Sequence, residues 1–237
     1  MQWSQITEVG LVRPENEDNL LVCEDIGLFV VADGMGGHRA GEVASREALL
    51  ALEKELRQMI NREVQIDQAM VDAMKNANKH VYKMASKDAD LNGMGTTVTA
   101  CLVQEKEVLM AHVGDSRTYL MRDNQIIQVT DDHSLVGELI KNGTITEELA
   151  QIHPQRNVLT QAVGVSSDID VDIYKVPLYK GDKLLLCTDG LTNHVKGIEI
   201  FSIVNSADNV AAAVKELANA ALDQGGTDNV SIILIEI

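Results

Sequence analysis

Residues 97–129 read TVTACLVQEKEVLMAHVGDSRTYLMRDNQIIQV and contain four short apolar runs separated by polar turns. Their length and their content of β-branched residues predict strands over 97–103, 108–113, 117–121 and 126–129. Strands this close in sequence pair antiparallel, because a parallel crossover needs a dozen or more residues. This stretch therefore predicts antiparallel sheets.

The flanking segments add paired helices and further strands. Apolar residues recur every three or four positions over 44–59, 66–84 and 210–222, which places each set on one helix face. Further strands are predicted at 20–23, 28–32, 169–176, 183–187 and 230–237. Paired helices and blocks of strands favour an α+β fold over an alternating parallel sheet. Residues 131–160 hold two short amphipathic pieces, and we expect a flap there.

Composition bounds the class of protein. The chain has 237 residues, 45% of them apolar, and only 3 prolines, so we expect one domain over 1–237. Its formal net charge of −16 argues against nucleic-acid binding, which depends on lysine and arginine. No apolar run reaches the length of a membrane span, and no signal peptide is apparent. The three cysteines lie in apolar runs, and we expect them to be buried free thiols: Cys23, Cys101 and Cys187. We also expect the protein to be a cytoplasmic monomer.

Five aspartates lie at the ends of predicted strands: Asp18 and Asp228 before a strand, and Asp33, Asp115 and Asp189 after one. Two of them are in Asp-Gly pairs, which are common in tight hairpins. However, a glycine-rich run and a helix follow Asp33, where a hairpin needs a second strand. If the five carboxylates converge, their mutual repulsion calls for cations. Oxygen ligands select Mg²⁺ or Mn²⁺, whereas zinc prefers His and Cys.

Arg13 opens the run RPENED, five residues before Asp18. A guanidinium fork beside a cation site suits a phosphate dianion. The alternative is an ordinary solvated surface arginine.

Seven short motifs, in a fixed order and across essentially the whole chain, carry a resemblance to a known family. They are RPENED (13–18), VADGMGGHRAGEVAS (31–45), MGTT (94–97), HVGDSRTY (112–119), VTDDHS (129–134), LLCTDGLT (185–192) and GGTDNVS (225–231). With them the sequence resembles the metal-dependent serine/threonine protein phosphatases of type 2C, in their compact bacterial form. The resemblance implies a four-layer α/β/β/α sandwich, with two antiparallel sheets flanked by helix pairs and a binuclear metal site at one end of the sheets.

The resemblance also implies which residues hold the two Mn²⁺ or Mg²⁺ ions. Asp33 would bridge them, with the Gly34 carbonyl on one ion and Asp189 and Asp228 on the other. A water activated by the two ions would attack phosphorus in line, without a covalent phosphoenzyme.

Further roles follow from the same resemblance. Glu17 and Asp18 would hold ion-bound waters, and Asp115 with the Gly114 carbonyl would match a third ion site of bacterial members. Arg13 would bind the phosphate oxygens.

One position departs from the family pattern. Eukaryotic relatives have a histidine, proposed as general acid, directly after the first Asp-Gly pair, and this chain has Met35 there. His38 is the candidate for protonating the leaving alkoxide, although an ion-bound water could do so and His38 could equally be structural. His133 in VTDDHS also matches the family, and a structural hydrogen bond would explain it.

The implied function is hydrolysis of phosphoserine and phosphothreonine on proteins, reversing a partner serine/threonine kinase. One alternative is a phosphatase of a regulatory phosphoprotein in a sigma-factor switch, although relatives of that kind often lack the arginine motif. The other is a non-catalytic phosphoprotein-binding module, which the intact Asp33, Asp189 and Asp228 disfavour.

Overall fold

The computed structural model describes residues 1–36, 40–60 and 64–237, and most of its strands form two five-stranded sheets. Across the first sheet the order is β1 (Gln2–Glu8), β12 (Val230–Glu236), β11 (Lys183–Cys187), β8 (Arg117–Arg122) and β9 (Gln125–Gln128). Across the second it is β10 (Asp172–Pro177), β7 (Glu107–Val113), β6 (Val98–Val103), β3 (Leu28–Ala32) and β2 (Asn19–Cys23). All neighbouring strands are antiparallel. A short ribbon pairs β4 (Gly34–Met35) with β5 (Gly95–Thr96).

Helix pairs cover the outer faces of both sheets. The second sheet packs against α1 (Ala40–Ile60) and α2 (Ile66–Ala85), which also pack on each other. The first sheet packs against α6 (Gly197–Ser206) and α7 (Val210–Asp223). The remaining helices are α3 (Leu135–Lys141) and α4 (Glu147–Gln151), which lie within segment 131–160, and α5 (Asp189–Thr192). Within the described ranges, no helix combines the length and the apolar character that a bilayer span requires.

The alternation of side chains along the central strands produces the layers. In β3, Leu28 and Val30 point into the core under α1 and α2, while Phe29 and Val31 point into the core between the sheets. Successive side chains of a strand face opposite ways, so a strand that is apolar throughout is buried on both faces. The predicted four-layer α/β/β/α sandwich is confirmed.

Two details differ from the sequence analysis. Residues 2–8 carry no predicted strand, yet β1 lies at the edge of the first sheet, with side chains that are exposed or half-buried. Strand β10 begins at Asp172, three residues later than predicted, because its ladder with β7 starts at the pair Asp172 and His112.

The strand register places the predicted aspartates at one end of the sandwich. Asn19, after Asp18, pairs with Ala32, before Asp33. Cys187, shortly before Asp189, pairs with both Arg117 and Ile232 near the starts of β8 and β12. The chain passes from the second sheet to the first between β7 and β8, at Asp115. These five strand ends therefore meet at the same edge.

Candidate metal centre

A cavity of about 490 Å³ lies at this end of the sandwich. The sequence-predicted residues that line it are Arg13, Glu17, Asp33, Gly34, Asp115, Asp189 and Asp228. Asp18 and Gly114 are not part of the lining, and His38 lies outside the described residues. The fold thus collects at one cavity most of the side chains that the sequence analysis selects from distant segments.

Asp33 follows β3 directly and is held by its backbone. Its N–H donates to Thr97 Oγ1 at 2.9 Å, and its carbonyl accepts from the Thr97 N–H at 2.9 Å and from Thr96 Oγ1 at 2.8 Å. Burial, together with the charges of the neighbouring aspartates, raises the pKa of the Asp33 carboxyl well above its ordinary value. The side chain therefore enters the cavity from a fixed backbone, in surroundings that disfavour its negative charge.

Asp189 begins α5 at the end of β11. Its Oδ2 accepts from Asn193 Nδ2 at 3.0 Å, whereas its buried Oδ1 accepts from no donor group in the part of the chain that the structure describes. Burial and the charge of Asp228 raise the pKa of Asp189. An unsatisfied buried carboxylate oxygen is costly, and a cation would satisfy it.

Asp228 precedes β12 and lies beside Arg13. Arg13 Nη2 donates to Asp228 Oδ2 at 2.8 Å, and this bond raises the pKa of the guanidinium. The next residue, Asn229, fastens the two segments together: its Nδ2 donates to the carbonyls of Val9 at 2.8 Å and Glu15 at 3.0 Å. Its Oδ1 accepts from the Glu17 backbone N–H at 2.9 Å. The arginine is therefore tied to the carboxylate cluster at the mouth of the cavity.

The turn between β7 and β8 presents Asp115. Burial, Asp189 and Asp132 raise the pKa of Asp115 well above its ordinary value, while Arg117 lowers it. The preceding Gly114 has φ +116° and lies so close to the Thr97 side chain that a Cβ would collide with it. The Gly114 carbonyl accepts from the His133 N–H at 2.7 Å, and its N–H donates to His133 Nδ1 at 3.2 Å. His133 thus has the structural bonds that the sequence analysis weighed for it.

Asp18 and Glu17 differ in their surroundings. Asp18 is buried behind the cavity and accepts from Thr188 Oγ1 at 2.8 Å; burial raises its pKa to about 7, and hydrogen bonds to Thr188 and Ser231 oppose the rise. Glu17 lines the cavity, and burial raises its pKa against the effects of Arg13 and the Gly41 N–H. The cluster thus gathers carboxyl groups whose charges are unfavourable in the protein alone.

The backbone approaches closely around the two Asp-Gly pairs. A Cβ on Gly34 would collide with the carbonyls of Gly41 and Glu17, and one on Gly190 with the carbonyl of Asn229. Neither pair forms a hairpin turn, because β4 follows the first and α5 contains the second. Glycine at these positions is required for the close packing that brings the aspartates together.

These residues fit hard divalent cations. The donors are all oxygens, one of them buried and unsatisfied, and several of the carboxyls have raised pKa values that a cation would offset. Among the described residues, no three His, Cys, Asp or Glu side chains are already arranged as a ligand set. The Asp228 carboxylate instead accepts a hydrogen bond from Arg13, and the Asp189 carboxylate accepts one from Asn193. Ion binding would therefore require the Asp228 and Asp189 carboxylates to give up these hydrogen bonds and coordinate the ion instead.

Segment 131–160 closes one side of the cavity with Asn157 and Leu159. The base of the segment is fastened by a bridge between Ser134 and Leu159, and the Thr160 N–H donates to the His133 carbonyl at 2.9 Å. Arg117 adds a partly buried fork to Asp132, with its shortest bond at 2.6 Å. The ends of the segment are thus tied to the turn that carries Asp115.

Thr97 and Asn229 carry no role predicted from the sequence, although they lie in the motifs MGTT and GGTDNVS. Thr97 Oγ1 accepts from the Asp33 N–H and is 2.7 Å from Ser116 Oγ, so it joins two of the aspartate turns. Asn229 joins the Arg13 and Asp228 segments. The sequence signal for Thr97 is its place in the motif MGTT, and Asn229 directly follows the candidate ligand Asp228.

Phosphate esters need cations for their dianionic group and a donor fork for their oxygens. The carboxylates of this cavity are suited to hold the cations, and Arg13 lines the same cavity with a donor fork. The fold and the site thus define a metal-dependent phosphatase. The family model of protein phosphatase 2C matches residues 14–230, so the chain belongs to this family.

Named relatives agree with this assignment. The chain is 41% identical over 236 residues to the serine/threonine phosphatase stp of Listeria welshimeri, covering 97% of this chain and 93% of the relative. The crystal structure of the Mycobacterium tuberculosis serine/threonine phosphatase PstP/Ppp superposes with a TM-score of 0.91 at 34% identity, covering 100% of this chain and 98% of the other. A structure of the catalytic domain of PstP in complex with two manganese ions has a TM-score of 0.87 at 32% identity, covering 99% and 97%.

These similarities confirm the predicted family and activity. The chain is a bacterial protein serine/threonine phosphatase, an enzyme of a metal-dependent family. The non-catalytic alternative is thereby set aside.

Proposed function

We propose that the enzyme hydrolyses phosphoserine and phosphothreonine with two Mn²⁺ or Mg²⁺ ions held by Asp33, the Gly34 carbonyl, Asp189 and Asp228. The observation that carries this assignment is the convergence of carboxylates from separate strand ends on one cavity, with a guanidinium at its mouth. The manganese ions in the PstP complex support the choice of cation.

Three further residues complete the proposed centre. Glu17 and Asp18 would act on the ions through water, which suits the buried position of Asp18 behind the cavity. Asp115 lines the cavity beside the main cluster and is the candidate ligand of a third ion, together with the Gly114 carbonyl. That carbonyl already accepts one hydrogen bond, and a carbonyl oxygen has two lone pairs.

When bound, the divalent ions would supply an activated water and would neutralise charge on the phosphoryl group. The chain's own contribution is to hold the reactants. Arg13 has five N–H donors, and its bond to Asp228 uses one of them. When Asp228 turns to an ion, that donor is released as well, and the whole fork would be available for phosphoryl oxygens. Asn157 and Leu159 of segment 131–160 shield one side of the cavity from solvent.

Proton delivery to the leaving oxygen has two candidate sources, His38 and a water. Met35 lines the cavity at the position that the resemblance gives to a general acid, and its thioether has no proton to donate. The role of His38 as the general acid that protonates the leaving oxygen therefore remains a proposal.

The biological setting is also proposed. The relatives named serine/threonine phosphatase support phosphoproteins as substrates and a cognate serine/threonine kinase as the opposing enzyme. The three buried cysteines, all free, are consistent with the reducing cytoplasm. We treat residues 1–237 as one catalytic domain that acts as a monomer, with segment 131–160 as its flap.

The proposal is tested by hydrolysis of p-nitrophenyl phosphate and phosphothreonine peptides with Mn²⁺, with Mg²⁺ and in excess EDTA. We expect EDTA and Asp189→Asn each to abolish turnover of both substrates. Asp208→Asn, at an exposed carboxylate before α7, is the matched control and should retain full activity. Undiminished turnover in EDTA or in Asp189→Asn would contradict the proposal.

A further inference from the structure

Two consecutive aliphatic side chains lie exposed beside the cavity. Leu11 is 68% exposed and Val12 is 66% exposed, and they directly precede Arg13. Single exposed aliphatic residues are common on protein surfaces, whereas contiguous exposed apolar surface can mark an interaction site. This pair is contiguous, and the residue that follows it, Arg13, lines the cavity. We call this pair the Leu11–Val12 ledge.

The backbone under the ledge is fixed. Gly10 has φ +83° and packs so closely on the Asp228 carbonyl that a Cβ would collide with it. The Leu11 N–H donates to the Gly226 carbonyl at 2.7 Å. Asn229 holds the segment on either side of the ledge through the carbonyls of Val9 and Glu15. The exposed pair therefore sits on a pre-organised support and needs little ordering when it binds.

The position of the ledge suits the chain of a protein substrate. Arg13, Pro14 and Glu15 line the cavity, so the ledge begins one residue outside the proposed phosphate site. Neighbouring residues of an extended peptide lie about 3.3–3.6 Å apart along the chain. A side chain one or two positions from the phosphorylated residue therefore falls within reach of Leu11 and Val12.

The charge around the ledge decides which side chains it favours. Glu15 and Glu17 line the adjacent cavity, and the whole chain has a formal net charge of −16. Acidic side chains flanking the phosphate would be repelled, and polar ones would leave the aliphatic pair in water. An apolar flanking side chain removes apolar surface from water on both partners.

We propose that the Leu11–Val12 ledge binds an apolar side chain that flanks the phosphorylated residue of protein substrates, and thereby sets sequence preference. This inference rests on the proposed function, since it presumes that phosphate is bound beside Arg13. It adds a specificity determinant outside the ion-binding residues and outside segment 131–160.

The test compares two phosphothreonine peptides that differ only in the residues on both sides of the phosphothreonine, leucine in one and serine in the other. For the wild type we expect kcat/KM to be about five- to tenfold higher for the leucine peptide, because apolar contacts discriminate on this scale. The Leu11→Ser/Val12→Ser variant should bring the ratio close to one. Ile198→Ser, at a 79% exposed aliphatic residue of α6, is the matched control and should keep the wild-type ratio.

Turnover of p-nitrophenyl phosphate on the same preparations reports on folding and ion loading, so each peptide value is divided by it. Equal use of both peptides by the wild type, or an unchanged preference in the double variant, would overturn the inference. So would sedimentation showing a wild-type dimer that the double variant loses, because a second copy would then cover the ledge. Failure of the proposed metal centre would appear differently, as undiminished hydrolysis of both peptides after chelation whatever their ratio.

Discussion

Replacing Asp18 with asparagine should stabilise the metal-free protein at alkaline pH. The Asp18 carboxyl is buried, and its pKa is raised from 3.8 to about 7, chiefly by that burial. A carboxyl that keeps its proton to higher pH in the folded state than in the unfolded state lowers the stability of the fold as pH rises between those two pKa values. Asparagine removes the charge and keeps an oxygen that can accept the bond from Thr188.

The magnitude follows from the size of the pKa shift. One unit corresponds to 1.36 kcal/mol, so the rise from 3.8 to about 7 costs about 4 kcal/mol once the carboxyl is ionised at pH 8. At pH 5 the cost is about 2 kcal/mol, and below the unfolded pKa it vanishes. We therefore expect Asp18→Asn to raise the free energy of unfolding by up to about 4 kcal/mol at pH 8 and by about half as much at pH 5.

The assay is urea unfolding in EDTA at pH 5 and pH 8, followed by circular dichroism. Asp208→Asn, at an exposed carboxylate, serves as the control and should change the free energy of unfolding by no more than about 0.5 kcal/mol at either pH. An equal effect of Asp18→Asn at both pH values, or a loss of stability at pH 8, would refute the reasoning that buried charge destabilises this cluster.

Three further predictions concern neighbouring residues. Arg13→Ala should raise KM for p-nitrophenyl phosphate about tenfold with a modest loss of kcat; an unchanged KM in steady-state kinetics would show that Arg13 does not bind phosphate. Gly190→Ala should lower the free energy of unfolding by about 2–3 kcal/mol in thermal unfolding, because its Cβ would collide with the Asn229 carbonyl. A Cβ on Gly197 meets open space, so the control Gly197→Ala should stay within about 1 kcal/mol of the wild type in the same assay. Asn229→Ala should cost about 3 kcal/mol in urea unfolding, because it leaves three backbone groups of residues 9–17 without their partner; a neutral effect would contradict the anchoring role.

The elements that the sequence predicts well are those with strong periodicity. The apolar spacing over 44–59 and 66–84 matches α1 and α2, and strand β3 coincides with its apolar run because both of its faces are buried. Strand β1 lacks such a signal, since Trp3 and Ile6 are its only large apolar residues and it lies at a sheet edge. The ribbon of β4 and β5 has two residues per strand, too few for any period.

The candidate site also has a part that the sequence predicts and a part that it does not. The positions of Asp33, Asp115 and Asp189 follow from strand ends, which sequence patterns locate. Their immediate partners do not, because a hydrogen bond such as that of Arg13 with Asp228 joins opposite ends of the chain. Such contacts depend on the strand register, which is set by the packing of the whole sandwich.

The most direct test of the metal centre is anomalous diffraction at the manganese edge from crystals soaked in Mn²⁺. The proposed arrangement predicts two strong peaks within coordination distance of the Asp33 carboxylate, one of them also contacting Asp189 and Asp228. Peaks located only elsewhere on the protein, with Asp228 still turned to Arg13 and Asp189 Oδ1 without an ion, would contradict it.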